Sequence, residues 1–326
     1  MNFLVLLTTL PEADKRAYYE GIRDGFPTET VELASAIPEA DKHLGRTEVL
    51  ITFGPHLGAH ADSVVRKATP LKWIQALGTG VDNIVDLPSL KPEVLVTNVH
   101  GLHGVPMTEA ALLSMLALAR DFPRLFRFQQ QRRWERFPPR LLAGKTVGIF
   151  GIGAIAASLG PACKALGMRV IGISSAKREV AGFDRVYARE ELREAVRELD
   201  FFVLLTPYTA ETRNIVDAGI FAAMKPTCHL VNLARGGIVD EAALIAALRE
   251  KRIAGAALDV FSEEPLPPDS PFWAMENVII SPHLGGFNSD YVSQTLPMVK
   301  ENIRRFLAGD FANMLCIVRK GAFDGR

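Results

Sequence analysis

Three segments of this 326-residue chain set a residue able to do proton or anion chemistry directly after a short apolar run. They are Val231-Asn232-Leu233-Ala234-Arg235-Gly236, Leu258-Asp259-Val260-Phe261-Ser262-Glu263-Glu264-Pro265-Leu266 and Ser281-Pro282-His283-Leu284-Gly285-Gly286. Each apolar run reads as a strand, so Arg235, the Glu263-Glu264 pair and His283 stand just past strand carboxyl ends, where open α/β sheets bind ligands. Arginine is always cationic, and its planar fork can take both oxygens of a carboxylate. Histidine, with an unperturbed pKa of about 6.5, is the side chain best matched to giving up a proton near neutral pH. A carboxylate beside it orients the ring and stabilises the imidazolium, which is work that Glu263 or Glu264 could do. Taken singly, each has a plainer reading: a salt-bridge arginine, a solvated loop charge, a satisfied core histidine.

A second constellation points to a phosphate-bearing ligand. The run 145–150 reads as a strand and leads directly into Gly151-Ile152-Gly153-Ala154-Ile155-Ala156. Gly151 permits a tight turn, Gly153 lets the backbone approach a pyrophosphate, and Ala156 is small enough for close helix–strand packing. The helix that follows offers free N–H groups and the positive end of its dipole to the phosphates. Strand before, helix after and a further strand at 169–173 supply the context that a dinucleotide fingerprint requires. An NAD-specific site places Asp or Glu about 20 residues on, against the ribose 2′-hydroxyl. Here that stretch reads Ser174-Ser175-Ala176-Lys177-Arg178. Two hydroxyls and two cations suit a 2′-phosphate, so NADP is the expected cofactor and NAD the alternative; the plain reading of Lys177 and Arg178 is a solvated turn.

Elements must carry these groups, and the chain supplies them. Short apolar runs at 3–7, 49–53, 73–76, 94–97, 146–150, 169–173, 201–205, 229–233, 255–260 and 278–281 alternate with amphipathic stretches such as 190–198 and 241–251. That alternation is the mark of an α/β protein with parallel strands. The reading is two α/β units, a discontinuous one spanning 1–98 with 287–326 and a second spanning 99–286. Two helices separate the halves: one over 109–119, capped by Thr108 and apolar on every side, and one over 290–306 interrupted by Pro297. Gly160-Pro161 should kink the helix after the glycine motif. Lys+Arg 37 against Asp+Glu 37 leaves zero net charge, which argues against a nucleic-acid partner held by bulk charge. Three scattered cysteines make neither a zinc ribbon nor a disulfide framework and suit a reducing compartment. The apolar start at 3–7 is too short for a leader and is followed by Pro11 and Glu12, and no run approaches a membrane span. A cytoplasmic protein is expected. His56 and His60 have metal-like spacing but no third ligand, so no metal is expected.

Taken together in this order, the motifs from Gly144 to Gly286 resemble those of the D-isomer-specific 2-hydroxyacid dehydrogenases, and the likeness extends over nearly the whole chain. The resemblance implies that the 99–286 unit is a Rossmann-type doubly wound sheet and the discontinuous unit a flavodoxin-like domain. It implies that Arg235, Glu264 and His283 are the catalytic set, Glu264 rather than Glu263 because the motif matches Glu264-Pro265-Leu266, reducing a 2-keto acid to a D-2-hydroxy acid with a nicotinamide dinucleotide. It implies cofactor contacts at the glycine motif, Ser174, Ser175, Lys177 and Arg178, and also at Thr206, Pro207, Leu233, Ala234, Arg235, Asp259, His283 and Gly285. Asp259 matches the position facing the nicotinamide carboxamide, with a strand-end cap as its alternative. Leu77-Gly78-Thr79-Gly80-Val81-Asp82-Asn83 resembles the loop whose N–H groups, at Thr79 and Gly80, hold the substrate carboxylate as an anion nest. Phe53 matches the far wall of the pocket. His100 stands where the family commonly has proline, which leaves the shape of that crossing loop open. Glyoxylate or hydroxypyruvate is the expected substrate, from the likeness to those reductases between Leu118 and Val147. A long-form phosphoglycerate dehydrogenase is disfavoured because no regulatory domain follows Arg326. Formate dehydrogenase is disfavoured because that relative has Gln in place of Glu264. The alternative is a dinucleotide-gated corepressor, whose flexible tails the chain lacks. Relatives pair as two-fold dimers through the region of 109–134, so a homodimer is expected, with Trp134 reaching the partner's pocket.

Overall fold

The computed structural model describes residues 1–82 and 84–321; Asn83, the last residue of the 77–83 motif, and residues 322–326 lie outside it. The described strands are β1 Asn2–Leu6, β2 Thr30–Ala34, β3 Val49–Thr52, β4 Trp73–Ala76, β5 Leu95–Thr97, β6 Thr146–Phe150, β7 Arg169–Ser174, β8 Arg185–Ala188, β9 Phe201–Leu204, β10 His229–Asn232, β11 Gly255–Leu258, β12 Val278–Ile280 and β13 Ile317–Arg319. They divide between two compact units, Met1–Leu102 with the chain from Ser289 onward, and His103–Asn288.

In the first unit the strand order is β13-β5-β4-β3-β1-β2, parallel throughout except for β13 against β5. Setting β13 aside, the order 2-1-3-4-5 is the flavodoxin-like one. The inner strands β1, β3, β4 and β5 are mainly apolar and buried, as strands of a parallel sheet covered on both faces are. A buried polar chain ties the carboxyl-terminal helix Tyr291–Leu307 to this sheet. Trp73 Nε1 donates to Thr97 Oγ1 at 2.9 Å, Thr97 Oγ1 to Gln75 Oε1 at 2.8 Å, and Asn302 Nδ2 to the same Gln75 oxygen at 2.9 Å. Asn302 Oδ1 accepts from Leu315 N at 2.6 Å, leading the chain into β13. The helix Glu12–Gly25 lies close on Tyr291–Leu307, and a Cβ at Gly21 would fall 2.4 Å from Leu296 Cδ2.

In the second unit the order is β12-β11-β10-β9-β6-β7-β8, all parallel. Counted within the unit this is 7-6-5-4-1-2-3, the Rossmann order with one added strand, and the order reverses between β6 and β9. The helix Ala154–Ala165 runs unbroken through Pro161. Thr108 caps nothing: the helix begins earlier, at Gly104, and Thr108 Oγ1 donates back to the Gly104 carbonyl at 2.7 Å. Pro106 falls in the first turn, where its missing N–H costs nothing. That helix is not buried all round, since Met107, Ala111 and Met115 face the core while Val105 and Leu113 are exposed. The 190–198 stretch is a chain of short turns, 3-10 at Arg189–Glu191 and Val196–Glu198 around a single α turn. In the first unit a short helix, Gly54–Leu57, does form through Pro55, followed by a 3-10 turn to His60. No helix among the described residues is long and apolar enough to cross a membrane.

Candidate active site

β10, β11 and β12 are neighbours and parallel, so their carboxyl ends lie along one edge of the sheet. Arg235 follows the first, Glu264 the second and His283 the third. His283 Nδ1 meets Glu264 Oε2 at 2.8 Å, while Glu264 Oε1 accepts the backbone N–H of Phe261 at 3.0 Å. Burial pushes the Glu264 carboxyl up, but the His283 hydrogen bond and charge, the Phe261 N–H and the Arg235 charge outweigh it and hold it below the usual carboxylate range. Glu263 has no part in the pair.

The backbone is built tightly to place these groups. A Cβ at Gly236 would lie 1.9 Å from the Phe261 carbonyl carbon, so the Arg235 loop seats directly on the segment that bears Glu264. Asn232 braces the same loop, accepting from Ala234 N and donating to Arg235 O at 3.1 Å each. Ser262 N is taken by Glu241 Oε1 at 2.7 Å. His283 sits at φ 54°, a left-handed conformation unusual for a side-chain-bearing residue. Asp259, 3% exposed, accounts for it: its carboxylate accepts Ser281 Oγ at 2.6 Å, Leu284 N at 2.8 Å and Gly285 N at 2.8 Å. The strand-end cap is therefore present, and of about four acceptor positions on a carboxylate three are used. Gly285 is a packing glycine, its missing Cβ only 2.9 Å from Asp259 Oδ2.

The glycine turn lies at the reversal of strand order. Gly151 has φ 103°, and a Cβ there would strike the Thr206 backbone at 2.6 Å, which brings the ends of β6 and β9 together. A Cβ at Gly153 would meet nothing within 4 Å, so the space over this helix start is open for a ligand. Ile152 turns away and packs on Gly172 of β7. Ala154 and Ile155 open the helix; Thr206, Leu233 and Ala234 are buried along the same edge, with Pro207 exposed. These residues fit a dinucleotide cradle. Ser174 closes β7, its hydroxyl given to Ala176 O at 2.5 Å, with Ser175 exposed beside it. Lys177 reaches Glu191 at 3.3 Å, and Arg178 donates to the Ile152 carbonyl of the glycine turn at 3.1 Å.

In the first unit, Thr79 and Gly80 lie on the loop after β4, and Phe53 follows β3. Asn98 Nδ2 donates to Thr79 O at 2.7 Å and Tyr291 Oη to Leu77 O at 2.7 Å. Neither residue stood out in the sequence; Asn98, placed directly after a strand, carried the same positional signal as Arg235. Among the described residues no group of three or more His, Cys, Asp or Glu could hold a metal.

Residues 112–285 match the family model described as D-isomer specific 2-hydroxyacid dehydrogenase, NAD binding domain. The chain is 35% identical over 284 residues to a D-3-phosphoglycerate dehydrogenase of Methanocaldococcus jannaschii, covering 86% of this chain and 52% of that protein. It thus spans about half the length of the phosphoglycerate dehydrogenases among its relatives. A glyoxylate reductase of Korarchaeum cryptofilum is 34% identical over 258 residues, 76% of this chain and 77% of that one. Among solved structures, an NADPH-dependent glyoxylate/hydroxypyruvate reductase of Sinorhizobium meliloti, in complex with NADP and sulfate, aligns with TM-score 0.81 at 27% identity over 99% of this chain and 100% of that one.

Proposed function

The chain belongs to the D-isomer specific 2-hydroxyacid dehydrogenase family, and on that premise we propose that it reduces a small 2-keto acid of the glyoxylate or hydroxypyruvate kind to the D-2-hydroxy acid, with NADPH preferred to NADH. The observation that carries the reading is the 2.8 Å pair of His283 Nδ1 and Glu264 Oε2, with Arg235 close enough to act on the same carboxylate.

A 2-keto acid bears a carboxylate beside its carbonyl. Arg235 forks onto these oxygens and fixes the carbonyl for attack. When bound, the reduced nicotinamide supplies the hydride. As negative charge grows on the carbonyl oxygen, His283 gives it a proton from Nε2, because Nδ1 is engaged by Glu264. Glu264, held ionised, stabilises the protonated ring and fixes its orientation. We assign the substrate carboxylate also to the N–H groups of Thr79 and Gly80, and the wall beside it to Phe53. The pyrophosphate falls to Gly151, Ile152, Gly153, Ala154 and Ile155. The adenosine end falls to Ser174, Ser175, Lys177 and Arg178, and the nicotinamide end to Thr206, Pro207, Leu233, Ala234, Asp259 and Gly285. Asp259 keeps one acceptor position on Oδ2 for a carboxamide N–H.

We assign the assembly to a homodimer through the Gly104–Ala119 and Phe122–Gln130 helices. Val105, Leu113, Phe122 and Phe126 are exposed there, and Trp134 is 96% exposed on the loop beyond. A monomer by light scattering at micromolar concentration overturns that part alone. The function is tested by NADPH oxidation with glyoxylate, hydroxypyruvate, pyruvate and longer 2-keto acids. Turnover of glyoxylate or hydroxypyruvate with the highest kcat/KM is the expected result, and turnover of none would overturn the reading.

A further inference from the structure

We propose that Tyr291 is a positioning residue for substrate binding, orienting the Leu77–Gly80 loop on which the substrate carboxylate is held; the inference rests on the reading of that loop given above. Tyr291 opens the carboxyl-terminal helix and is 3% exposed. Its hydroxyl donates to the Leu77 carbonyl at 2.7 Å, although 214 residues separate the two in sequence. Its ring lies 6.0 Å, centroid to centroid, from that of Phe53. Phe53 in turn supports the next residue of the loop: a Cβ at Gly78 would sit 3.5 Å from Phe53 Cδ1. Tyr291 therefore braces both first-unit elements assigned to the substrate.

The following carbonyls are taken as well. Val99 N donates to Gly78 O at 3.2 Å, and Asn98 Nδ2 to Thr79 O at 2.7 Å. Three consecutive carbonyls are thus pinned by donors from elsewhere in the unit. Because a trans peptide is planar, with its C=O and the following N–H on opposite sides, pinning each oxygen also sets the direction of the next N–H. The N–H vectors of Gly78, Thr79 and Gly80 are fixed in this way, and fixed successive N–H groups are what an anion nest needs. Tyr291 holds the first of the three planes. Without its hydroxyl the Leu77 carbonyl is left buried and unpaired, and it regains a partner only if the peptide turns and carries the loop with it.

The test compares Tyr291→Phe with Thr295→Val in the full-length protein. Thr295 lies one turn along the same helix and is equally buried; its Oγ1 donates to the Tyr291 backbone carbonyl at 2.8 Å and pairs with Tyr18 Oη at 2.5 Å, so its loss disturbs the helix and the Tyr291 backbone but leaves the Tyr291 hydroxyl on Leu77. Tyr291→Phe should raise the KM for glyoxylate and the calorimetric Kd for oxalate about tenfold, the scale of one buried hydrogen bond, with kcat, the KM for NADPH and the pH profile little moved. Thr295→Val should lower the melting temperature while leaving the glyoxylate KM and oxalate Kd near wild type. Unchanged constants in Tyr291→Phe, an equal rise in Thr295→Val, or a wild type that binds no oxalate would each overturn the proposal. A wild type that binds oxalate yet reduces no 2-keto acid would instead overturn the proposed function, and the oxalate arm would still decide the role of Tyr291.

Discussion

The backbone N–H of His283 donates to the Asp259 carbonyl at 2.8 Å, while the carboxylate of the same Asp259 takes the N–H groups of Leu284 and Gly285. One buried residue thus grips the chain at His283 and at both residues after it, and it holds His283 in its left-handed conformation. Replacing Asp259 with Asn keeps the shape but turns one acceptor oxygen into an NH2 donor, which must then face either Gly285 N–H or the Leu284 N–H and Ser281 hydroxyl. The loop should shift. Asp259→Asn is expected to lower kcat about 10²-fold, the usual penalty for a catalytic group misplaced by an ångström or so. Wild-type kcat in this variant would show that the grip does not position His283.

Glu264 is held below the usual carboxylate range, so it stays ionised across the pH range in which a histidine titrates. Its stabilising charge is present above that range and is lost only as pH falls through its depressed pKa. Activity lost on the alkaline side therefore does not come from the ionisation of Glu264. In Glu264→Gln the protonated imidazole loses its partner charge, and the alkaline limb of the kcat/KM profile for reduction should move to lower pH. An unshifted limb would reject the pairing. His283→Ala should cost roughly 10²–10⁴-fold in kcat, as the loss of a general acid does.

His229, at the start of β10, is 7% exposed, stacks on Phe201 and leaves its Nδ1 without a partner. Burial first, and the Arg140 charge second, lower its pKa from 6.5 to about 4. The unfolded chain takes up this proton below about pH 6.5, whereas the folded chain resists until about pH 4. Folding should lose up to about 3 kcal/mol to this group as pH falls through that window, and nothing above it. Denaturant titrations of wild type and His229→Phe, compared at pH 7.5 and pH 4.5, check this. The wild type should lose more stability than the variant, and an equal loss would remove His229 from the account.

What could be read from the sequence follows from how each element is buried. Every strand paired on both sides was visible as an apolar run, because parallel strands covered on both faces have little room for polar residues. The three strands not foreseen, β2, β8 and β13, are all edge strands. Pairing on one side lets them carry Glu32, Arg185 and Arg319, which break the apolar run. Arg235, Glu264 and His283 stood out because each lies a few residues past the carboxyl end of a readable strand and because the three motifs together resemble those of a known family. The grip of Asp259 on the His283 loop, the seating of Gly236 on Phe261 and the hydroxyl of Tyr291 on Leu77 were not, since each joins segments by a contact that spacing along the chain does not encode.

The proposed preference for NADPH rests on the turn after β7. Where an NAD-specific site has an acidic residue to accept from the ribose 2′-hydroxyl, this chain has Ser174, and no carboxylate stands there to repel a 2′-phosphate. The Ser174 hydroxyl is already given to Ala176 O, so it shapes the turn, and on this proposal the charge complement is left to Lys177 and Arg178. Arg178 rests on the Ile152 carbonyl of the glycine turn, and Lys177 has only an exposed 3.3 Å contact with Glu191, so a phosphate can exchange for either partner at small cost. A forked guanidinium binds phosphate more strongly than a point charge, so Arg178 should matter more than Lys177. Initial rates should favour NADPH over NADH in kcat/KM, chiefly through a lower KM. Arg178→Ala should raise the NADPH KM by about tenfold or more while leaving that for NADH nearly unchanged, and Lys177→Ala should do the same more weakly. If NADH serves the wild type as well as NADPH, or if Arg178→Ala weakens both cofactors equally, the cations hold no 2′-phosphate, and the assignment of the reducing partner reverts to NADH with the keto-acid chemistry intact.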